Sequence, residues 1–115
     1  MSECIFCRIV SGEIPSKKVF EDEHVFAFHD INPVAPVHVL VVPKVHVDSM
    51  AHLTAEHEAA MGRLMVVASR IAGEQGCKDG FRTIVNTGRV GLQEVYHLHL
   101  HVLGGSHPLP PMLKV

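Results

Sequence analysis

Tyr96-His97-Leu98-His99-Leu100-His101-Val102-Leu103-Gly104-Gly105 is the stretch from which the fold can be read. Three histidines alternate with apolar residues, and alternation at period two is the signature of a half-buried β-strand. His97, His99 and His101 then project from one face, each roughly 6–7 Å from the next at the strand rise. Leu98, Leu100 and Val102 point the other way, into a core. A row of imidazoles on an anchored strand has three readings: a solvated face, a metal-binding row, or a nucleophilic and acid–base cluster. Histidine, with an unperturbed pKa of about 6.5, suits the last of these near neutral pH.

Working outward, Val37 to Val42 is a strong strand closed by Pro43, and Lys18–Glu21 and His24–Asp30 are two more around an Asp22-Glu23 turn. Phe81 to Asn86 is a further strand, and Val95 to Leu103 carries the histidines. Ile5, Phe6, Ile9 and Val10 suit a short N-terminal helical segment ended by Ser11-Gly12 and barred by Pro15. Thr54 reads as the cap of one long helix running to about Gln75, with Met61, Leu64, Met65, Ala68, Ile71 and Ala72 as its apolar stripe. Strands on short connections, one long helix and no repeated βα units indicate an α+β fold with a mainly antiparallel sheet of about five strands.

At 115 residues, with no linker or internal repeat, residues 1–115 are expected to form a single domain. A net charge of −2 offers no electrostatic footprint for a nucleic-acid backbone. No apolar run has the length of a membrane span and no signal peptide is visible, so neither partner class is expected. Cys4, Cys7 and Cys77, an odd number without a secretory signal, argue for a reducing cytoplasm and against a disulfide framework.

The His-φ-His-φ-His-φ-φ run resembles the motif of the histidine-triad (HIT) family of nucleotide hydrolases and transferases. Gln93-Glu94-Val95-Tyr96 before it and Gly104-Gly105 after it are similar to the Hint branch of that family. The resemblance implies hydrolysis of purine nucleoside 5′-phosphoramidates through a nucleotidyl-histidine intermediate, with no catalytic cofactor and a homodimer whose sheets continue across the interface. It implies His99 as nucleophile, His101 as its phosphate-binding or proton-transferring partner, and His38 and His97 as orienting groups. Asn86, Gln93 and Glu94 would lie around the phosphate. Asp30 is the candidate ribose anchor in Phe28-His29-Asp30-Ile31, and Ile5, Phe6, Ile9, Ile14 and Phe28 correspond to the apolar base pocket. Without the resemblance these apolar residues read simply as core.

Two further features need weighing. Leu92 stands where the family commonly has a second glycine, and Glu94 where some relatives carry a serine that contacts the leaving group; a carboxylate there would favour a cationic amine. Cys4-x-x-Cys7 alone is a weak signal, open to a redox pair, a metal half-site or two buried thiols. Relatives with this N-terminal pattern imply a structural zinc on Cys4, Cys7, His46 and His97, a closed four-ligand set. A dinucleoside polyphosphate hydrolase of the same family is the alternative enzyme. A zinc-dependent nucleotide-binding module without catalysis is the alternative from another class.

Overall fold

A computed structural model describes residues 3–113. Five antiparallel strands form one sheet: β1 (Lys18–Glu21), β2 (Val25–His29), β3 (Val37–Pro43), β4 (Arg82–Ile84) and β5 (Leu100–Gly104), in the order β1-β2-β3-β5-β4. The helix α1 (Ile5–Val10) and the long helix α2 (Glu58–Glu74) complete the fold. Among the described residues no helix is long and apolar enough to cross a membrane.

The two faces of the sheet carry different loads. Val25, Ala27, Val39, Val41, Leu100 and Val102 meet Leu64, Val67, Ala68 and Ile71 of α2. Phe26, Phe28, Leu40 and Val42 face the other way and meet Phe6 and Ile9 of α1. With both faces covered, β2 and β3 are almost continuously buried rather than alternating. The pairing sets Phe28 opposite Leu40, Leu40 opposite His101 and His101 opposite Ile84. His101 therefore sits in the α1 layer of the molecule, beside His38 on β3.

Three boundaries and one buried position differ from the sequence reading. The histidine strand begins at Leu100 rather than Val95. Pro43 has no N–H to give and its carbonyl is taken by the His97 ring, so the ladder stops; the Leu98 N–H bonds the Val47 carbonyl instead, at 2.8 Å. His97 and His99 thus precede the strand, although Leu98 and Leu100 are still buried on the opposite side. The strand expected over 81–86 shortens to Arg82–Ile84. Thr54 caps a 3₁₀ turn, Ala55–His57, in which the His57 ring accepts the Thr54 N–H, and the α-helix proper starts at Glu58. Met65 is half exposed and Val67 takes its place inside. The buried stripe is centred on Leu64, Ala68 and Ile71, from which Met65 lies about 100° round the helix and Val67 about 60°.

Candidate active site and metal centre

Hydrogen bonds to groups that can only donate, or only accept, fix the tautomer of each ring. His99 is buried, and its Nδ1 lies 2.8 Å from the His97 carbonyl oxygen. A carbonyl only accepts, so Nδ1 carries the proton and Nε2 holds a lone pair. The Val34 backbone N–H donates to His38 Nδ1 at 3.1 Å, so the His38 proton is on Nε2. That Nε2 is 3.0 Å from His101 Nδ1 and 3.3 Å from Asp30 Oδ2. His38 therefore donates towards His101, whose own proton is left on Nε2. The His99 and His101 rings are 5.1 Å apart. A nucleophilic nitrogen and an N–H donor are presented side by side.

Burial, then the neighbouring His99 and His38, pushes His101 down to about 4. Burial also lowers His38, against the opposing pull of Asp30. Both rings are neutral at pH 7. Asp30, His38 and His101 crowd closely enough to suggest a metal set, but the His38 proton lies on the nitrogen that would bind. The trio is a hydrogen-bond relay.

An apolar wall borders the row. The Phe6 ring stands edge-on to His99 at 5.1 Å and 90°, and 5.5 Å from Phe28. Ile9 is buried with them, Ile14 packs at the margin, Ile5 is half exposed, and Ile31 is fully at the surface. Asp30 keeps one oxygen on the Asn32 N–H and turns the other to His38. Asn86 lies two residues past β4, half-buried, on the side that leads back towards His99. Glu94 is exposed.

Gln93 does work that its sequence context did not reveal. Its Nε2 donates to the Asp48 and Val95 carbonyls, and its Oε1 accepts the Gly88 N–H. Both amide protons are used in tying the 87–95 loop down, which leaves one oxygen lone pair for a ligand. Within that loop a Cβ at Gly91 would come within 2.6 Å of the Thr87 carbonyl oxygen, so glycine is required there. Leu92 adopts φ +61° with its side chain in solvent, a conformation that costs a β-carbon residue roughly 1–2 kcal/mol. Leu92→Gly should therefore raise stability by about 0.5–1 kcal/mol net of the extra chain entropy of glycine, read as a higher midpoint in urea unfolding. A lower midpoint would show that the leucine is held by contacts rather than strained.

Cys4, Cys7, His46 and His97 converge, their four ligand atoms all within 4.8 Å of one another. His97 is fully buried and its Nε2–H donates to the Pro43 carbonyl at 2.8 Å, which leaves Nδ1 as a lone pair. His46 Nε2–H donates to the Asp48 carboxylate at 2.7 Å, so its Nδ1 is a lone pair as well. These two nitrogens are 3.2 Å apart, and sulfur-to-nitrogen separations run 3.3, 3.4 and 3.5 Å. A tetrahedral zinc with its usual bonds to sulfur and nitrogen has edges of about 3.3–3.8 Å. Each histidine also has the outer acceptor that orients a metal-bound imidazole. The donor set fits a closed Cys2His2 site, and one of its ligands, His97, is the residue whose carbonyl holds His99.

The HIT domain model matches residues 11–108 of the chain. The purine nucleoside phosphoramidase of Escherichia coli (strain K12) is 50% identical over 112 residues, covering 96% of this chain and 93% of that one. A histidine triad protein from Clostridium difficile, solved at 0.95 Å, superposes with a TM-score of 0.91 at 49% identity, covering 98% of each chain. The HIT family hydrolase of Legionella pneumophila Philadelphia 1 gives a TM-score of 0.88 at 40% identity, covering 91% of this chain and 95% of that one. The chain belongs to the HIT family and is a hydrolase within it.

Proposed function

We propose that the protein hydrolyses purine nucleoside 5′-phosphoramidates through a nucleotidyl intermediate on His99. The observation that carries this reading is the His99 tautomer: Nδ1–H is bound to a backbone carbonyl, and Nε2 presents a lone pair. Attack of Nε2 on phosphorus breaks the P–N bond, and the amine departs with the electron pair and takes up a proton from solvent, which the water of the second step returns on attacking phosphorus. The phosphorylated ring then bears positive charge, which the His97 carbonyl stabilises through Nδ1–H. Water attacks the same phosphorus, the P–Nε2 bond breaks, and the nucleoside monophosphate leaves with neutral His99 restored. One difficult displacement becomes two easier ones.

His101 holds its Nε2–H towards a phosphoryl oxygen, its other nitrogen fixed by His38. Asn86 and the remaining lone pair of Gln93 are assigned to the same phosphate region, and Glu94 to the leaving amine. Asp30 anchors the ribose, and Phe6, Ile9 and Phe28, with Ile5, Ile14 and Ile31 outside them, form the surface for the base. A mostly apolar surface reads a base by shape, so preference among purines should be mild. The test is turnover of adenosine 5′-phosphoramidate against diadenosine tetraphosphate. Faster cleavage of the phosphoramidate supports this reading, and faster cleavage of the tetraphosphate replaces it with the dinucleotide one.

A structural zinc at Cys4, Cys7, His46 and His97 belongs to the proposal, supported by donor spacing; it would fasten the N-terminal segment to the sheet. Reduced thiols at such a site suit a cytoplasmic protein. A homodimer belongs to it too. β4 is an edge strand with an unpaired side, and the outward face of α2 carries Ala59, Gly62, Met65, Val66, Ser69 and Gly73, with Arg70 among them. Sedimentation at micromolar concentration distinguishes dimer from monomer.

Asp30→Asn should weaken ribose recognition, so adenosine and 2′-deoxyadenosine substrates should differ less in kcat/KM than in the parent. An unchanged ratio removes Asp30 from the ribose site. The pH behaviour follows from His101. With its folded pKa near 4 and an unfolded value of about 6.5, the unfolded chain binds more protons between those limits. Stability from this group is complete above pH 6.5 and falls as pH drops towards 4. Wild type should lose more stability than His101→Asn between pH 7 and pH 5, measured by urea unfolding. His38→Asn removes one cause of the depression, and so should move the His101 titration to higher pH. Equal losses in wild type and His101→Asn would show that His101 is not held neutral.

A further inference from the structure

We propose that the Cys4–Cys7–His46–His97 cluster positions both the nucleophile and the Phe6 wall of the pocket, so that metal occupancy sets nucleotide affinity at the active site as well as holding the fold. The inference rests on the proposed role of His99. Two physical links join the cluster to that ring, and a third joins it to the 87–95 loop.

The first link is His97 itself. Its Nδ1 points into the cluster, its Nε2–H is tied to the Pro43 carbonyl, and its own carbonyl holds His99 Nδ1–H at 2.8 Å. Fixing the ring at both nitrogens restricts the residue whose backbone sets the nucleophile's tautomer. The second link is Phe6, which lies between the two cysteines and stands edge-on to His99 at 5.1 Å. α1 is six residues long, too short to be stable alone, and Cys4 caps it by accepting the Cys7 N–H. Anchoring both cysteines therefore anchors Phe6. The third link runs through Asp48, which accepts the His46 Nε2–H with its side chain and a Gln93 Nε2–H with its carbonyl. Gln93 in turn ties the 87–95 loop. One divalent cation replacing the two thiol protons would join three segments distant in sequence, two of which carry the groups that touch His99, the Phe6 ring and the His97 carbonyl.

Coupling between two sites is reciprocal, and typical values correspond to about 5- to 150-fold in affinity. The experiment uses the full chain with Co(II) as the metal probe and adenosine 5′-monophosphate as the nucleotide probe. Calorimetry gives nucleotide affinity with and without Co(II); thiolate-to-cobalt absorption gives metal affinity with and without nucleotide. Each ligand should tighten the other by the same factor, about fivefold or more. Imidazole ¹⁵N spectra should show His99 in the Nδ1–H form with metal and averaging between tautomers after chelation. Nucleotide affinity that ignores the metal, with an unchanged His99 spectrum, overturns the proposal. If nucleotide binds in neither state, the functional reading fails, and the ¹⁵N spectra alone decide the coupling. Should the chelated chain unfold, Zn(II)- and Cd(II)-loaded protein are compared, because the larger ion lengthens all four bonds. Different nucleotide affinities and His99 resonances support the coupling, and identical ones overturn it.

Discussion

His99→Ala should reduce turnover of adenosine 5′-phosphoramidate by about 10³-fold or more while nucleotide affinity stays within tenfold of wild type. Removing an attacking atom characteristically costs several orders of magnitude in kcat, because no neighbouring group recovers the covalent route. Affinity is spared because the ring contributes little of the pocket. The Phe6–Phe28 contact and the Asp30 carboxylate lie on residues that the substitution leaves intact. His101 is the ring best placed to substitute, but its Nδ1 lone pair faces His38 and its outward nitrogen carries the proton. Single-turnover kinetics and calorimetry with adenosine 5′-monophosphate measure the two quantities separately. Near-normal turnover would mean that another residue is the nucleophile.

The second large effect is on stability. Cys4→Ser with Cys7→Ser should lower Tm by about 10 °C or more, and protein purified without chelator should hold close to one zinc per chain. A ligand that binds only the folded state adds its binding free energy to stability. For a chain of this length each kcal/mol moves Tm by roughly 3–5 °C. The loss concentrates on α1, since Phe6 and Ile9 are its only buried residues and the cysteines tie it to His46 and His97. Scanning calorimetry with metal analysis reads both. Wild type found metal-free at unchanged stability would leave the cysteines as thiols packed against the sheet.

Much of this architecture was legible because period-two and period-3.6 patterns report burial directly. The alternation with histidines put Leu98, Leu100 and Val102 in the core, and Val37 to Val42 announced the central strand. The pattern could not say where the ladder ends. That was decided by the Pro43 carbonyl and by a Leu98–Val47 bond, which leave no trace in side-chain hydropathy. Met65 and Val67 flank the stripe centred on Leu64, Ala68 and Ile71, and which of the two is buried depends on how the helix is turned on the sheet.

The site divides along the same line. Histidine, cysteine and aspartate are visible as letters, and the family resemblance assigned His99, His101, Asp30 and the Cys4-Cys7 pair their parts. Backbone donors and acceptors are not visible. The His97 carbonyl fixes one tautomer and the Val34 N–H another, and those two bonds decide which ring nitrogens keep a lone pair. Gln93 read as a phosphate neighbour, whereas its three bonds to backbone could be found only in three dimensions. Asp30 was legible as a carboxylate and a candidate ribose anchor, but its approach to His38 follows from the bend after β2, where the Asp30 N–H bonds the His38 carbonyl.

Trapping the intermediate tests the central claim most directly. Enzyme mixed with excess adenosine 5′-phosphoramidate is quenched within one turnover at alkaline pH and digested, and the modified residue is located by fragmenting the peptides in a mass spectrometer. The account predicts one added adenylyl group on the peptide containing His99, labile to acid, and absent from His99→Ala. Full turnover with no adenylyl-enzyme at any quench time, or an adduct on His97 or His101 instead, would contradict it.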